Sequence, residues 1–108
     1  MTAELAGALR ERVTIERRID FRDAIAGRQP RWNYEGAAWV AVRPLLPAEL
    51  VEAEVLSANP RWAVTMRKRE GIGPDYRLVW RGRFLDVRQV KSDPAEPSHM
   101  VLICDERR

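Results

Sequence analysis

The sequence predicts an all-β fold: a small six-stranded β-barrel with one short helical insertion and a long loop between the first two strands. Three observations carry this expectation. Apolar and polar residues alternate along most of the chain, turn residues separate about six such runs, and only residues 47–56 break the period of two. Six short strands suit a barrel or a sandwich, and closure removes the open edges that a short flat sheet would leave.

In the first run, Arg12-Val-Thr-Ile-Glu-Arg17, Val13 and Ile15 share one face while Thr14 and Glu16 take the other. Residues 20–36 are long and polar, contain Gly27, Pro30 and Gly36, and read as the loop joining the first two strands. Loops of this length in a compact domain are usually functional or mobile. Residues 38–43 and 100–104 are short, more continuously apolar runs, suited to strands covered on both faces, and Trp39 is expected in the core. Trp62, Val64 and Met66 alternate with Arg61, Thr65 and Arg67, so the first three point inward and the second three outward. Tyr76, Leu78 and Trp80 repeat the pattern. Arg81-Gly82 then supplies a tight-turn signal, and residues 84–90 return as the partner strand. A connection over residues 92–98, with Pro94 and Pro97, precedes the last strand.

The helical insertion is predicted over residues 47–56. Pro47 suits a first helical position and good helix formers follow it. Leu46 with Leu50, and Val51 with Val55, fall at i, i+4 spacing and give one narrow apolar face. About ten residues are marginal as an isolated helix, so this one needs a surface to lean on. Ser57-Ala-Asn-Pro60 ends it.

At 108 residues the chain reads as one domain, residues 1–108, and a domain this short commonly gains buried surface from partners. Hydrophobic residues make up 45% and charged residues 32%, an ordinary balance for a globular protein. No apolar run approaches the roughly 18 residues that cross a bilayer, and residues 1–9 are too weakly apolar, with Glu4 among them, for a signal peptide. A cytoplasmic protein without membrane contact is expected. The net charge of +3 is unevenly spread. Residues 61–91 hold nine Lys/Arg against three Asp/Glu, whereas residues 37–60 hold one Arg against three Glu. The basic half either meets phosphates or an acidic protein surface, or is the solvated outer face that alternating strands require.

Catalytic groups are nearly absent. Cys104 is the single cysteine and His99 the single histidine, so no intrachain disulfide can form and no metal-ligand spacing exists. On one strand, five residues apart, these two point to opposite faces and cannot act as nucleophile and base. Cys104 is expected as a small buried hydrophobe. Glu49, Glu52 and Glu54 decorate the helix without a companion site, and Gly71-Ile-Gly-Pro74 is a turn, since no Lys-Ser/Thr follows. The chain is expected to be no enzyme and to use no cofactor or metal. Trp62 and Trp80 are expected in the core. Trp32, beside Arg31 and Tyr34, either staples the long loop to the barrel or anchors a contact, aromatic and Arg residues being the usual interface hot spots.

In order, the segments resemble the head–tail joining, or head-closure (stopper), family of tailed phages, from about Leu9 to Glu106. The pieces are Leu9-Arg-Glu-Arg-Val-Thr-Ile-Glu-Arg17, a long loop with Asp23, Gly27 and Trp32, and Ala38-Trp-Val-Ala-Val-Arg-Pro-Leu45. The glutamate-bearing insertion follows, then Arg67, Gly71-Ile-Gly-Pro74, Tyr76-Arg-Leu78, Gly82-Arg-Phe-Leu-Asp-Val87 and Leu102-Ile-Cys104. Each piece suits many β proteins; their order and spacing carry the resemblance. Asp23-Ala-Ile-Ala-Gly27 departs from the commoner Asp followed closely by Gly.

The resemblance implies a barrel subunit that assembles as a homo-oligomeric ring under a portal or adaptor protein. A tail-terminator or tail protein lies on its other side, and packaged double-stranded DNA passes through the channel. In some relatives the segment after the Pro-Leu pair projects into that channel, which here maps onto residues 44–60. Leu46, Glu49, Leu50, Glu52 and Glu54 are therefore channel-facing or plug candidates, the other reading being a helix that caps one barrel end. Arg31, Trp32, Tyr34, Arg67, Arg77, Arg81 and Arg83 are the candidates for subunit or ring contacts. The protein would be cytoplasmic during assembly, then part of the neck of a phage, prophage or gene-transfer particle. Two other classes stand beside this one. A nucleic-acid-binding barrel would use the basic face of residues 61–91, although alternation sets Tyr76 and Trp80 opposite Arg77. An adaptor or inhibitory module would form no ring.

Overall fold

The computed structural model describes residues 9–19, 31–48, 59–93 and 95–107. Six strands follow in chain order: β1 (Glu11–Ile19), β2 (Arg31–Pro44), β3 (Arg61–Arg67), β4 (Tyr76–Trp80), β5 (Arg83–Ser92) and β6 (His99–Arg107). Every pairing is antiparallel, and the order β1-β2-β3-β6-β5-β4 closes because β4 pairs back onto β1. The expected six-stranded barrel is the observed fold.

Alternation fills the interior. Val13, Ile15, Val40, Val64, Met66, Leu78, Leu85, Val87, Leu102 and Cys104 are all buried in one cluster, which Tyr76 and Trp80 extend. Trp62 packs partly buried against it and meets Trp80 edge to face, with ring centroids 5.1 Å apart. The polar edge of each indole is served by a carboxylate: Trp62 Nε1 donates to Glu106 at 2.9 Å and Trp80 Nε1 to Glu11 at 2.9 Å. Buried indoles need such acceptors, so these two glutamates let large rings fill the barrel.

The β4–β5 hairpin turns on Arg81 and Gly82, with Trp80 opposite Arg83. Both turn residues have positive φ, 49° and 75°, the two-residue turn whose twist matches that of the strands. The sequence signal for this turn was therefore sound.

Four expectations are corrected. Residues 31–36 belong to β2 and not to the loop, because β1 runs on to Ile19 and supplies them a full pairing partner. The register slips there: Ile15 faces Gly36 and Glu16 faces Tyr34, leaving Glu35 as the extra residue of a bulge. Gly36 has φ 138°, and a Cβ at that position would lie 2.8 Å from the Arg69 guanidinium. Trp39 stands outside, 54% exposed, since Ala38 and Val40 take the inward positions on either side of it. Residues 38–43 are thus not covered on both faces. Arg61 does lie on the outward side of β3, yet it is buried, 5% exposed, and not in solvent.

The other apolar run behaves as expected. β6 is buried on both faces: Met100, Leu102 and Cys104 point into the barrel, while Ile103 joins Leu45 and Ala63 in a smaller cluster on the outer side. Of the expected helix only Pro47 and Ala48 lie among the described residues, both with helical backbone. The rest of that segment, like residues 20–30 of the expected loop, lies outside them.

Leu78 is fully buried in the main cluster. Leu78→Ala should cost about 2–5 kcal/mol, the range for large-to-small changes in a packed core. Equilibrium urea unfolding would show it as a lower midpoint at unchanged slope, and a loss under about 0.5 kcal/mol would contradict a tightly filled barrel.

Candidate functional site

The outward residues of β2, β1, β4 and β5 form a layer of arginines and aromatic rings. Strand β1 sits between β2 and β4, so its Glu16 faces Tyr34 on one side and Arg77 on the other. Arg77 Nε lies 2.7 Å from Glu16 Oε1. Its guanidinium is held between two rings, 4.1 Å from the centroid of Trp32 and 4.2 Å from that of Phe84. Planar, weakly hydrated guanidinium groups favour such stacking. Arg107, ion-paired to Asp86 at 3.2 Å, closes the stack 5.8 Å from the Trp32 ring.

Among the expected contact residues, the structure thus brings Trp32, Tyr34 and Arg77 together. Tyr34 is 67% exposed, whereas Trp32 is half-buried as a staple would be, though it fastens β2 and not a loop. Arg31 begins β2 and is exposed. Arg81 and Arg83 stand apart at the β4–β5 turn, where Arg81 pairs with Glu11 at 2.8 Å and Arg83 with Glu106 at 3.6 Å. Arg67 faces His99, at the far end of β6 from the Phe84–Arg107 pair. Of the expected channel-facing group, Leu46 is 60% exposed, while Glu49, Leu50, Glu52 and Glu54 lie outside the described residues.

Ion pairing changes the meaning of the basic half. Arg61 and Arg88 both reach Asp105, at 3.1 and 2.8 Å, so with Arg77, Arg81 and Arg83 each is matched by a carboxylate. Of Arg61, Arg67, Arg77, Arg81, Arg83 and Arg88, the arginines that would track phosphates on the nucleic-acid reading, only Arg67 has no such partner among the described residues. Tyr76 and Trp80 are indeed buried on the face opposite Arg77 and offer no stacking platform. Both facts weigh against the strand face as a DNA-binding surface.

The Arg61–Asp105 pair is itself buried, and the Arg61 guanidinium nitrogens make no aligned hydrogen bond. Cys104 next to it is buried among apolar side chains, and burial above all, then the carboxylates of Asp105 and Asp86, pushes its thiol far up. A protonated, enclosed thiol is neither nucleophile nor metal ligand. His99 is buried with Nδ1 3.4 Å from Ser98 Oγ. Among the described residues no cluster of three His, Cys, Asp or Glu side chains could hold a metal ion.

Sequence reasoning missed a groove of about 690 Å³ lined by Leu9, Ala38, Trp39, Met66, Arg67, Lys68 and Arg69. The signal was present in β2: Trp39 shares its face with Ala41 and Arg43, not with Ala38, Val40 and Val42.

Comparison with known proteins now bears on the whole chain. Residues 5–107 match the family of the phage head completion protein, and the chain belongs to that family. This supports a part in joining phage head and tail and incorporation into the phage particle. The fold is similar to the solution structure of protein SF1141 from Shigella flexneri 2a. The TM-score is 0.72 at 22% identity, over 93% of this chain and 94% of that one. No curated protein matches the chain.

Two outcomes follow from the buried groups. Asp105→Asn leaves Arg61 buried without a counter-charge and should destabilise the fold by about 3–5 kcal/mol in urea unfolding. In the native protein Cys104 should fail to react with a chromogenic disulfide reagent at neutral pH, and should react fully once unfolded. Rapid native labelling would contradict the enclosed thiol.

Proposed function

We propose that this member of the phage head completion protein family is a structural head–tail connector, a head-closure subunit and not an enzyme. Repeated copies form a ring between the portal or adaptor on the head side and the tail or its terminator on the other. The ring surrounds the path of the packaged DNA, helps retain it, and offers the surface to which the tail attaches. The family match over residues 5–107 carries this reading. The closed barrel supports it: each strand has a strand neighbour on both sides along at least part of its length, which leaves the outer face for lateral contacts.

Within the ring, Trp32, Tyr34 and Arg77 form one contact patch with Arg31, and Arg81 with Arg83 form a second at the β4–β5 turn. Two separate patches suit a ring, where each copy meets its neighbours through different surfaces. Arg77, already stacked and ion-paired, is presented in a fixed shape, which lowers the ordering cost of binding. Arg67 faces an adjoining protein. Leu46, Glu49, Leu50, Glu52 and Glu54 face the channel, where carboxylates repel the phosphates of passing DNA and keep it from adhering.

Electron microscopy of particles from cells lacking this gene tests the role. Filled or leaking heads beside separate tails are expected, with joined particles restored by the gene in trans. Normally joined particles in its absence would overturn the connector reading.

A further inference from the structure

The groove beside Trp39 differs from the rest of the surface in two ways. Its lining combines an apolar part, Leu9, Ala38, Trp39 and Met66, with three successive cations, Arg67, Lys68 and Arg69. Seven arginines elsewhere meet carboxylates, but the side chains of Arg67 and Lys68 are exposed and in no ion pair among the described residues. Arg69 donates to the Glu35 carbonyl at 2.5 Å, which leaves its charge unneutralised, and Arg12 lies 5.1 Å over the Trp39 ring. Against these four cations stand Glu35 and Glu70, so the rim is net positive.

The backbone beside the groove is also unusual. β3 pairs with β2 only from Val40 to Pro44. Before Val40 that edge of β2 has no strand partner among the described residues. An open edge accepts an extended segment through main-chain hydrogen bonds, while neighbouring pockets select its side chains.

We infer that this groove docks an extended segment of an adjoining protein that carries a large apolar side chain flanked by carboxylates. A volume of about 690 Å³ falls in the range of sites that enclose a ligand, roughly 300–1,000 Å³. The exposed Trp39 indole supplies the kind of rigid anchor that dominates interface energies, and the cations fix the sign of what lies beside it. A DNA backbone would use the cations alone and leave the apolar lining unmatched, which favours a protein. The inference rests on the connector reading only for the source of the segment.

The binding test uses the full chain and the probe acetyl-Asp-Glu-Leu-Phe-Glu-Asp-amide, at about 0.15 M salt where exposed charges are screened beyond roughly 8 Å. Its lysine-substituted counterpart and a short DNA duplex serve as rivals. The acidic probe should bind at least about tenfold more tightly than the basic one. Arg67→Glu with Lys68→Glu, or Trp39→Ala, should each weaken it by about tenfold at unchanged unfolding midpoint. No binding, indifference to these substitutions, or tighter binding of the duplex lost in the same variants would overturn the inference.

The particle assay separates the two readings. If the parent gene restores joined particles and the Arg67→Glu, Lys68→Glu gene does not, the docking site is supported. If both restore them equally, the docking site fails and the connector role stands. If the parent gene restores nothing, the connector role fails and the peptide measurement alone decides the groove.

Discussion

Closure depends on β1 serving two neighbours. Its residues pair with β2 along Glu11–Ile19 and with β4 over Thr14, Ile15, Glu16 and Arg17. A sheet that returns on itself has one inside, so each strand must send alternate residues there and keep that phase along its length. The dense interior, the outward position of Trp39 and the meeting of Trp32 with Arg77 all follow from this constraint. Shifting β1 by one residue would send Val13 and Ile15 into solvent and Glu16 into the core.

Electrostatics is organised by the same geometry. Strands that are neighbours in the barrel but distant in sequence bring carboxylates opposite arginines: Glu16 with Arg77, Glu11 with Arg81 and Asp105 with Arg61. Where such a pair is exposed, as Glu11 with Arg81 is, it contributes little to stability, about 0–1 kcal/mol, unlike the buried Arg61–Asp105 pair. Their larger effect is on recognition, because a neutralised arginine attracts phosphate far less than a bare one. The surface that remains positive is therefore much smaller than the basic half of the sequence suggests.

Much of the fold was legible in the chain. Val13 and Ile15, then Trp62, Val64 and Met66, then Tyr76, Leu78 and Trp80 each alternate in phase with their strands, and Arg81-Gly82 marks its turn. The first half of β2 was not legible, because the alternating rings of Arg31-Trp-Asn-Tyr-Glu, Trp32 and Tyr34, point outward, and the segment is held by pairing with β1 rather than by core burial. Arg61 escaped for a related reason: its counter-charge, Asp105, lies on another strand, and alternation reports direction without reporting cover. Trp39 was misassigned by composition although its phase with Arg43 pointed outward. The contact patch was legible as residue types but not as a place, since only β1, lying between β2 and β4, brings Trp32 to Arg77.

The bulge in β2 ties two distant positions together. Gly36 leaves room for the Arg69 guanidinium, and Arg69 in turn satisfies the carbonyl that the extra residue Glu35 turns away from the ladder. A side chain at position 36 needs the space that the arginine occupies, and a shorter residue at 69 gives the carbonyl up to water. The two positions therefore form one heritable unit: across related sequences a change at either should travel with a change at the other.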